Sequence, residues 1–478
     1  LSIVILVSSC AKKNDDGEII VIPPPTDTTI VSNIVEVTTD VTAATTWKAD
    51  KIYLLKGNIF VTNDAVLTIE PGTIIKGDKA SKAALIVTRG AKIEAVGTVE
   101  KPIVFTSNQG VGAREEGDWG GIILLGKAHN NGGTSVAIEG ISDATDKGKH
   151  GGENDDDNSG TLKYVRIEYA GVALSPDNEI NGLTFGSVGR GTTIDYVQVY
   201  RSGDDAFEFF GGTVNAKHLL AIDTWDDDFD TDNGYSGHIQ FGLAQRLAAT
   251  ADVSGSNGFE SDNNSGGTNV TPRTSAVFSN MTILGPKELA TGGASINPAF
   301  QHGAQIRRNS AISILNSVIV GYTEGVFYDD AAPVGATPNA SGNLMDGSSV
   351  FANNIVAGSN SKSNQIKASS APTLVTITAK LIADNTFSPD VYGAAIYADP
   401  YKFAADIAGG TRTGVPSFIL AAGSPAATGA LFTNSKLEDA FFDKTVAFKG
   451  AFGTENWAAG WANFAPQTTP YTTPGAVN

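Results

Sequence analysis

Sulfur is almost missing from this chain, which has one Cys and two Met in 478 residues. A single cysteine cannot close an internal disulfide, so no disulfide framework holds the fold. Charge is sparse at 18% and skewed, with 33 Lys and Arg against 51 Asp and Glu, a net charge of −18. A deficit of cations argues against a nucleic-acid partner, because phosphate binding needs Lys and Arg. The five histidines (His129, His150, His218, His238, His302) have no metal-ligand spacing. No Gly-x-Ser-x-Gly elbow supports a serine triad, and the Gly-rich turns lack the lysine and helix of a phosphate loop.

Glycine is plentiful, at 54 residues, and Val, Ile, Thr, Ala, Asn and Ser fill much of the remainder. That mixture suits many short strands joined by tight turns. One short pattern occurs three times. Phe207-Glu208-Phe209-Phe210-Gly211-Gly212 aligns with Phe229-Asp230-Thr231-Asp232-Asn233-Gly234, and again with Phe259-Glu260-Ser261-Asp262-Asn263-Asn264. Repeats spaced by about 20–30 residues predict a solenoid with one coil per repeat. Strand alternation then points Phe207, Phe229 and Phe259 inward and Glu208, Asp230 and Glu260 outward. Coils about 4.8 Å apart would stack those carboxylates in one column. Stacked like charges need a neutralising partner.

Leu1 to Val7 is short and apolar, and Ser8-Ser9-Cys10 follows. The order reads as an export signal, not a membrane-spanning helix. It resembles a bacterial lipobox, which implies lipidation of Cys10 and a membrane association through the lipid alone. Residues 11–33, with Lys12-Lys13-Asn14-Asp15-Asp16 and Pro23-Pro24-Pro25, read as a tether.

The run Leu67-Thr68-Ile69-Glu70-Pro71-Gly72-Thr73-Ile74-Ile75-Lys76-Gly77 continues through Leu85 to Thr98 and Lys101 to Ser107. It resembles the opening coils of right-handed parallel β-helix proteins of the pectate-lyase-like type, common among Bacteroidota cell-surface lipoproteins. The resemblance implies an all-β, right-handed parallel β-helix over residues 34–380 and an outer-membrane, cell-surface location. Residues 381–478 lose the regularity and are expected to cap the last coil. Residues 130–160 read as an exposed insertion, and Trp119 as the cover of a coil corner. Asn280, Asn316 and Asn353 or Asn354 are expected to form an internal amide ladder.

The chemistry concentrates between Asp204 and Asp262. Asp226, Asp228, Asp230 and Asp232 come from one coil, Asp204, Asp205 and Glu208 from the coil before, and Glu260 and Asp262 from the coil after. Together they offer the oxygen-rich shell that Ca²⁺ prefers. Asp228, Asp230 and Asp232 keep EF-hand alternation, but Gly234 falls one place late and Ile239 stands where the closing Glu belongs. A solvated acidic ridge, partly neutralised by Lys217 and Arg201, is the plainer reading. Ser202-Gly203-Asp204-Asp205-Ala206-Phe207 resembles the Gly-Asp-Asp strand of polygalacturonases. That implies Asp204 and Asp205 as a catalytic pair if the protein is a hydrolase. A lyase would need Ca²⁺ and a base such as Arg166, Arg201 or Lys217. Trp119, Trp225, Tyr200 and Tyr235 are the candidate sugar-stacking rings. The expected function is non-catalytic surface binding of a glycan, a protein or Ca²⁺. A polysaccharide hydrolase or lyase is the alternative.

Overall fold

The structure, a computed structural model, describes residues 33–141, 146–175, 178–288, 295–331, 339–359, 365–402 and 414–478, with the pairs 12–13 and 19–20. It divides into residues 1–33 and Ile34–Asn478. In the first unit Lys12–Lys13 pairs antiparallel with Ile19–Ile20. Cys10 and most of the expected tether lie outside the described residues.

In the second unit ten strands form one sheet, starting at Asn58–Val61 and ending at Ile366–Ala368. Each pairs parallel with the next of its kind along the chain. One strand per turn, always parallel, makes the unit an all-β parallel β-helix. An 18-stranded sheet forms the rest of the wall. Its long strands Gly160–Glu168, Thr193–Tyr200, Asn215–Ile222 and His238–Gln245 each bend at one left-handed residue: Tyr164, Tyr196, His218 and Phe241, with φ of 51°, 55°, 53° and 64°. Bulky residues are strained there. Stacking offsets part of that cost, with ring centroids 4.5, 4.2 and 5.3 Å apart down the column.

Asn280, Asn316 and Asn353 continue this corner at φ of 55°, 53° and 59°, a conformation Asn tolerates. This corrects the expected internal ladder. Their amides face outward, donating to the carbonyls of Phe448, Leu431 and Gly429, and only Asn353 reaches a neighbouring Asn, Asn316 at 2.6 Å. Asn354, the alternative expected in that ladder, does bond coil to coil: its Oδ1 accepts the N–H of Ser317, and Asn385 Oδ1 accepts that of Asn354.

The interior is stacked rings and aliphatic side chains. Phe207, Phe229 and Phe259 are fully buried, with centroids 5.6 Å apart at each step. Trp119 is also inside the core and not over a corner. It stacks on Phe105, donates to the Glu168 carbonyl at 2.8 Å, and packs where a Cβ on Gly77 would meet it at 2.5 Å. The 130–160 insertion is packed, not exposed throughout. His150 and Ser159 are buried, and Asn131 reaches Asn233 and Asn263 beside the acidic column.

The far end of the solenoid is covered by helix Ala371–Asp384, which starts at the Ser370 cap and buries Ile377 and Leu381. Strand Thr386–Ser388 still pairs parallel with Ile355–Ala357, so the coils run past residue 380. The C-terminal residues form a strap along the flank instead of the expected cap. Gln240 bonds to Asp443, Asn280 to Phe448, Gln198 to Asn463, and Arg114 to Pro466. Polar side chains pointing outward from successive coils thus find backbone partners in the strap, as buried polar groups require.

Candidate metal centre

Three adjacent strands, Phe207–Gly212, Phe229–Asp232 and Phe259–Ser261, set the register. Phe207 lies opposite Phe229, which lies opposite Phe259. Glu208, Asp230 and Glu260 pair in the same way. The buried phenylalanines hold this alignment, because a slip of one residue would put carboxylates into the core.

Each strand is preceded by a corner, and the corners are tied by side chains. Asn181 Oδ1 accepts the N–H of Asp205 (3.2 Å), and Asp205 Oδ1 accepts that of Asp227 (2.8 Å). Asp227 Oδ1 then accepts that of Asn257 (2.5 Å), and Asn257 Oδ1 that of His302 (3.0 Å). Asp205 and Asp227 are therefore rungs of the scaffold as well as charges.

Two groups of carboxylates converge here. Asp204, Asp205 and Asp226 bring ligand oxygens within 4.8 Å of one another, and so do Asp205, Glu208 and Asp230. That separation is about twice a Ca²⁺–oxygen distance, so each group fits a divalent cation. Asp226 Oδ1 and Asp230 Oδ1 are buried without a hydrogen-bond partner, which is costly for carboxylates unless a proton or a cation neutralises them. Ser254 donates to the other oxygen of Asp226 at 3.0 Å, and Asn181 to Glu208. Among the described residues, none of these five carboxylates has a Lys, Arg or His within ion-pair distance.

Burial and mutual repulsion hold all five well above the usual carboxylate range. For Asp205 burial is the larger cause, followed by Asp204, Glu208, Asp227 and Asp230. Burial also leads for Glu208, then Glu139 and Asp204. For Asp204 it is followed by Asp226 and Glu179, for Asp226 by Asp227 and Asp252, and for Asp230 by Glu208 and Asp227.

The remaining expected ligands are placed differently. Asp228 stands one residue before its strand, where alternation does not apply, and turns into the interior. There Arg246 lies 3.0 Å away and the Tyr322 hydroxyl donates to it at 3.1 Å. Glu260 faces outward as expected, but Arg307 pairs with it. Arg307 and Arg308 pair with Asp262 at 2.9 and 2.6 Å. Asp232 belongs to neither group; burial, then Asp262, raises it to about 7. Asp204 and Asp205, named both as cation ligands and as a catalytic pair, lie among the convergent oxygens of these groups.

The expected neutralising residues are elsewhere. Arg201 pairs with Glu116, and the Lys217 ammonium sits 4.7 Å over Phe441. Arg166 is buried against Glu168, Tyr471 and Val477 under the strap. Arg246, not anticipated, donates to the carbonyls of Thr224, Asp226 and Asn257 and so fastens the corner that carries the site. Of the proposed stacking rings Tyr200 and Tyr235 are buried, while Trp225 is 42% exposed beside Asp226. The missed rungs do leave a trace in the sequence. Asn181, Asp205, Asp227 and Asn257 each stand two residues before the leading apolar residue of a strand.

Residues 39–393 match the family model of the pectate-lyase-like β-helix domain. Among solved structures the chain is similar to the Dettilon tailspike protein, over 74% of this chain and 70% of that one, at 11% identity and a TM-score of 0.26. No curated protein matches the chain.

Proposed function

The chain belongs to the family of the pectate-lyase-like β-helix domain, and on that scaffold we propose a non-catalytic binding module that takes up Ca²⁺ and presents it to a glycan. The observation that carries the reading is the set Asp204, Asp205, Glu208, Asp226 and Asp230, which converges without a basic partner among the described residues. Ca²⁺ suits it better than Mg²⁺, because an all-protein cage of carboxylates with uneven geometry matches the flexible Ca²⁺ shell. Trp225, exposed at the rim, supplies an apolar face for a sugar whose hydroxyls reach the ion. Attachment to the outer surface of a bacterial cell through a lipid on Cys10 completes the proposal and rests on residues 1–10 alone.

The hydrolase or lyase alternative has less behind it. Asp205 already accepts a backbone N–H, and the guanidinium groups of the column, Arg246 and Arg307, are each held by carboxylates. The test is calorimetry of the full chain with Ca²⁺, followed by a glycan panel with and without the ion. Heat on titration and calcium-dependent retention of a glycan are expected. A flat titration removes the reading. Sustained turnover of an acidic polysaccharide, lost in Asp204→Asn, would replace it with the catalytic one, and calcium-dependent capture of a protein alone would change the partner.

A further inference from the structure

The cation reading leaves open how many ions the column holds. We infer that it holds two divalent cations, with Asp205 as the shared ligand. This rests on the cation-binding reading above. The convergent oxygens form two groups, not one: Asp204 and Asp226 meet Asp205 on one side, and Glu208 and Asp230 meet it on the other. Each group contains its own buried oxygen without a hydrogen-bond partner, Asp226 Oδ1 in the first and Asp230 Oδ1 in the second. One ion placed in either group leaves the orphan oxygen of the other unsatisfied.

Charge counting agrees. One divalent ion leaves three of the five carboxylate charges uncompensated, and two ions leave one. Asp205 can serve both ions, because a carboxylate has about four lone-pair positions and the Asp227 N–H uses one. Ions bridged in this way sit about 3.5–4 Å apart.

The fold explains why the two positions differ. The Glu208–Asp230 group lies on the strands, and the Asp204–Asp226 group lies in the corners before them. Asp205, shared by both groups, is buried and Asp230 is half-buried; the groups differ in that Glu208 is only 7% exposed, whereas Asp204 and Asp226 are both half-buried and flanked by exposed Trp225. The strand ion, with two buried carboxylates against one in the corner, is the more enclosed and is structural. The corner ion keeps water in its shell and is the one that meets an external ligand.

Native mass spectrometry and calorimetry of the full chain with Ca²⁺ give the count. Two ions per chain are expected, one in Asp226→Asn, one in Glu208→Gln and none in Asp205→Asn. Circular dichroism checks that each variant is folded. The wild-type count alone decides if a variant fails to fold. One ion per chain overturns the two-ion inference and leaves the binding role standing. No ion overturns both. Equal loss of glycan retention in Glu208→Gln and Asp226→Asn, with the corner ion still counted in Glu208→Gln, would overturn the division of labour.

Discussion

The Oδ1 atom of Asp205 accepts the backbone N–H of Asp227 from 2.8 Å, although the two residues are 22 apart in the chain. One carboxylate thus ties two coils and charges the site. The two roles separate by substitution. Asp205→Asn keeps an acceptor and removes a buried like charge, so the chelated variant should be at least as stable as the parent. Asp205→Ala leaves the Asp227 N–H without its partner and should cost about 1–3 kcal/mol. Urea unfolding in excess chelator measures both. Equal destabilisation by the two changes would remove the rung.

Raised carboxylates make the bare protein sensitive to alkali. Asp232 sits at about 7, and Asp204, Asp205, Glu208, Asp226 and Asp230 are also raised by burial and mutual repulsion. Between the unfolded value near 4 and these higher folded values, the folded chain binds more protons than the unfolded one. Its stability is full below that window and falls as pH rises through it. Melting temperature in chelator should drop between pH 5 and pH 8. Added Ca²⁺ should offset the drop, with the gap between the two curves widening toward pH 8. Parallel curves would count against a cation at these residues.

Arg246 and Asp228 are both fully buried. Arg246→Met should cost about 3–5 kcal/mol, because it leaves a carboxylate unpaired in the interior. The double change Arg246→Met with Asp228→Asn should recover part of that loss. The corner carbonyls of Thr224, Asp226 and Asn257 still lose their donor, so Ca²⁺ affinity should stay reduced in both variants. Denaturant unfolding with a parallel Ca²⁺ titration checks the pair. Full affinity in the double variant would show that Arg246 does not position the site.

The strap has its own latch. The Tyr471 hydroxyl donates to buried Glu168 at 2.8 Å, and Arg166 reaches the same hydroxyl at 3.3 Å. Tyr471→Phe should cost about 1–3 kcal/mol by leaving these groups short of a partner. Limited proteolysis should then release fragments from residues 429–478 sooner than in the parent. Unchanged cleavage would mean that the strap is held by its other contacts.

Much of the fold was legible because it depends on local periodicity. The alternation in Phe207-Glu208, Phe229-Asp230 and Phe259-Glu260 announced both the stacked aromatic interior and the outward acids. The site was only partly legible. Asp204, Asp205, Glu208, Asp226 and Asp230 converge as read. Asp228, Glu260 and Asp262 are drawn to Arg246, Arg307 and Arg308, residues whose positions depend on other coils. The strap is hidden from the sequence for the same reason, since nothing near Asp443 or Asn463 says that Gln240 and Gln198 wait for them.

The order of residues by itself determined the coil, its inward rings and the row of acids, because side-chain direction in a strand follows from position alone. Only the tertiary structure decided which acids are neutralised by arginine and which are left facing one another. That choice depends on distances between chain segments that no local pattern records, and electrostatic energy falls with exactly those distances.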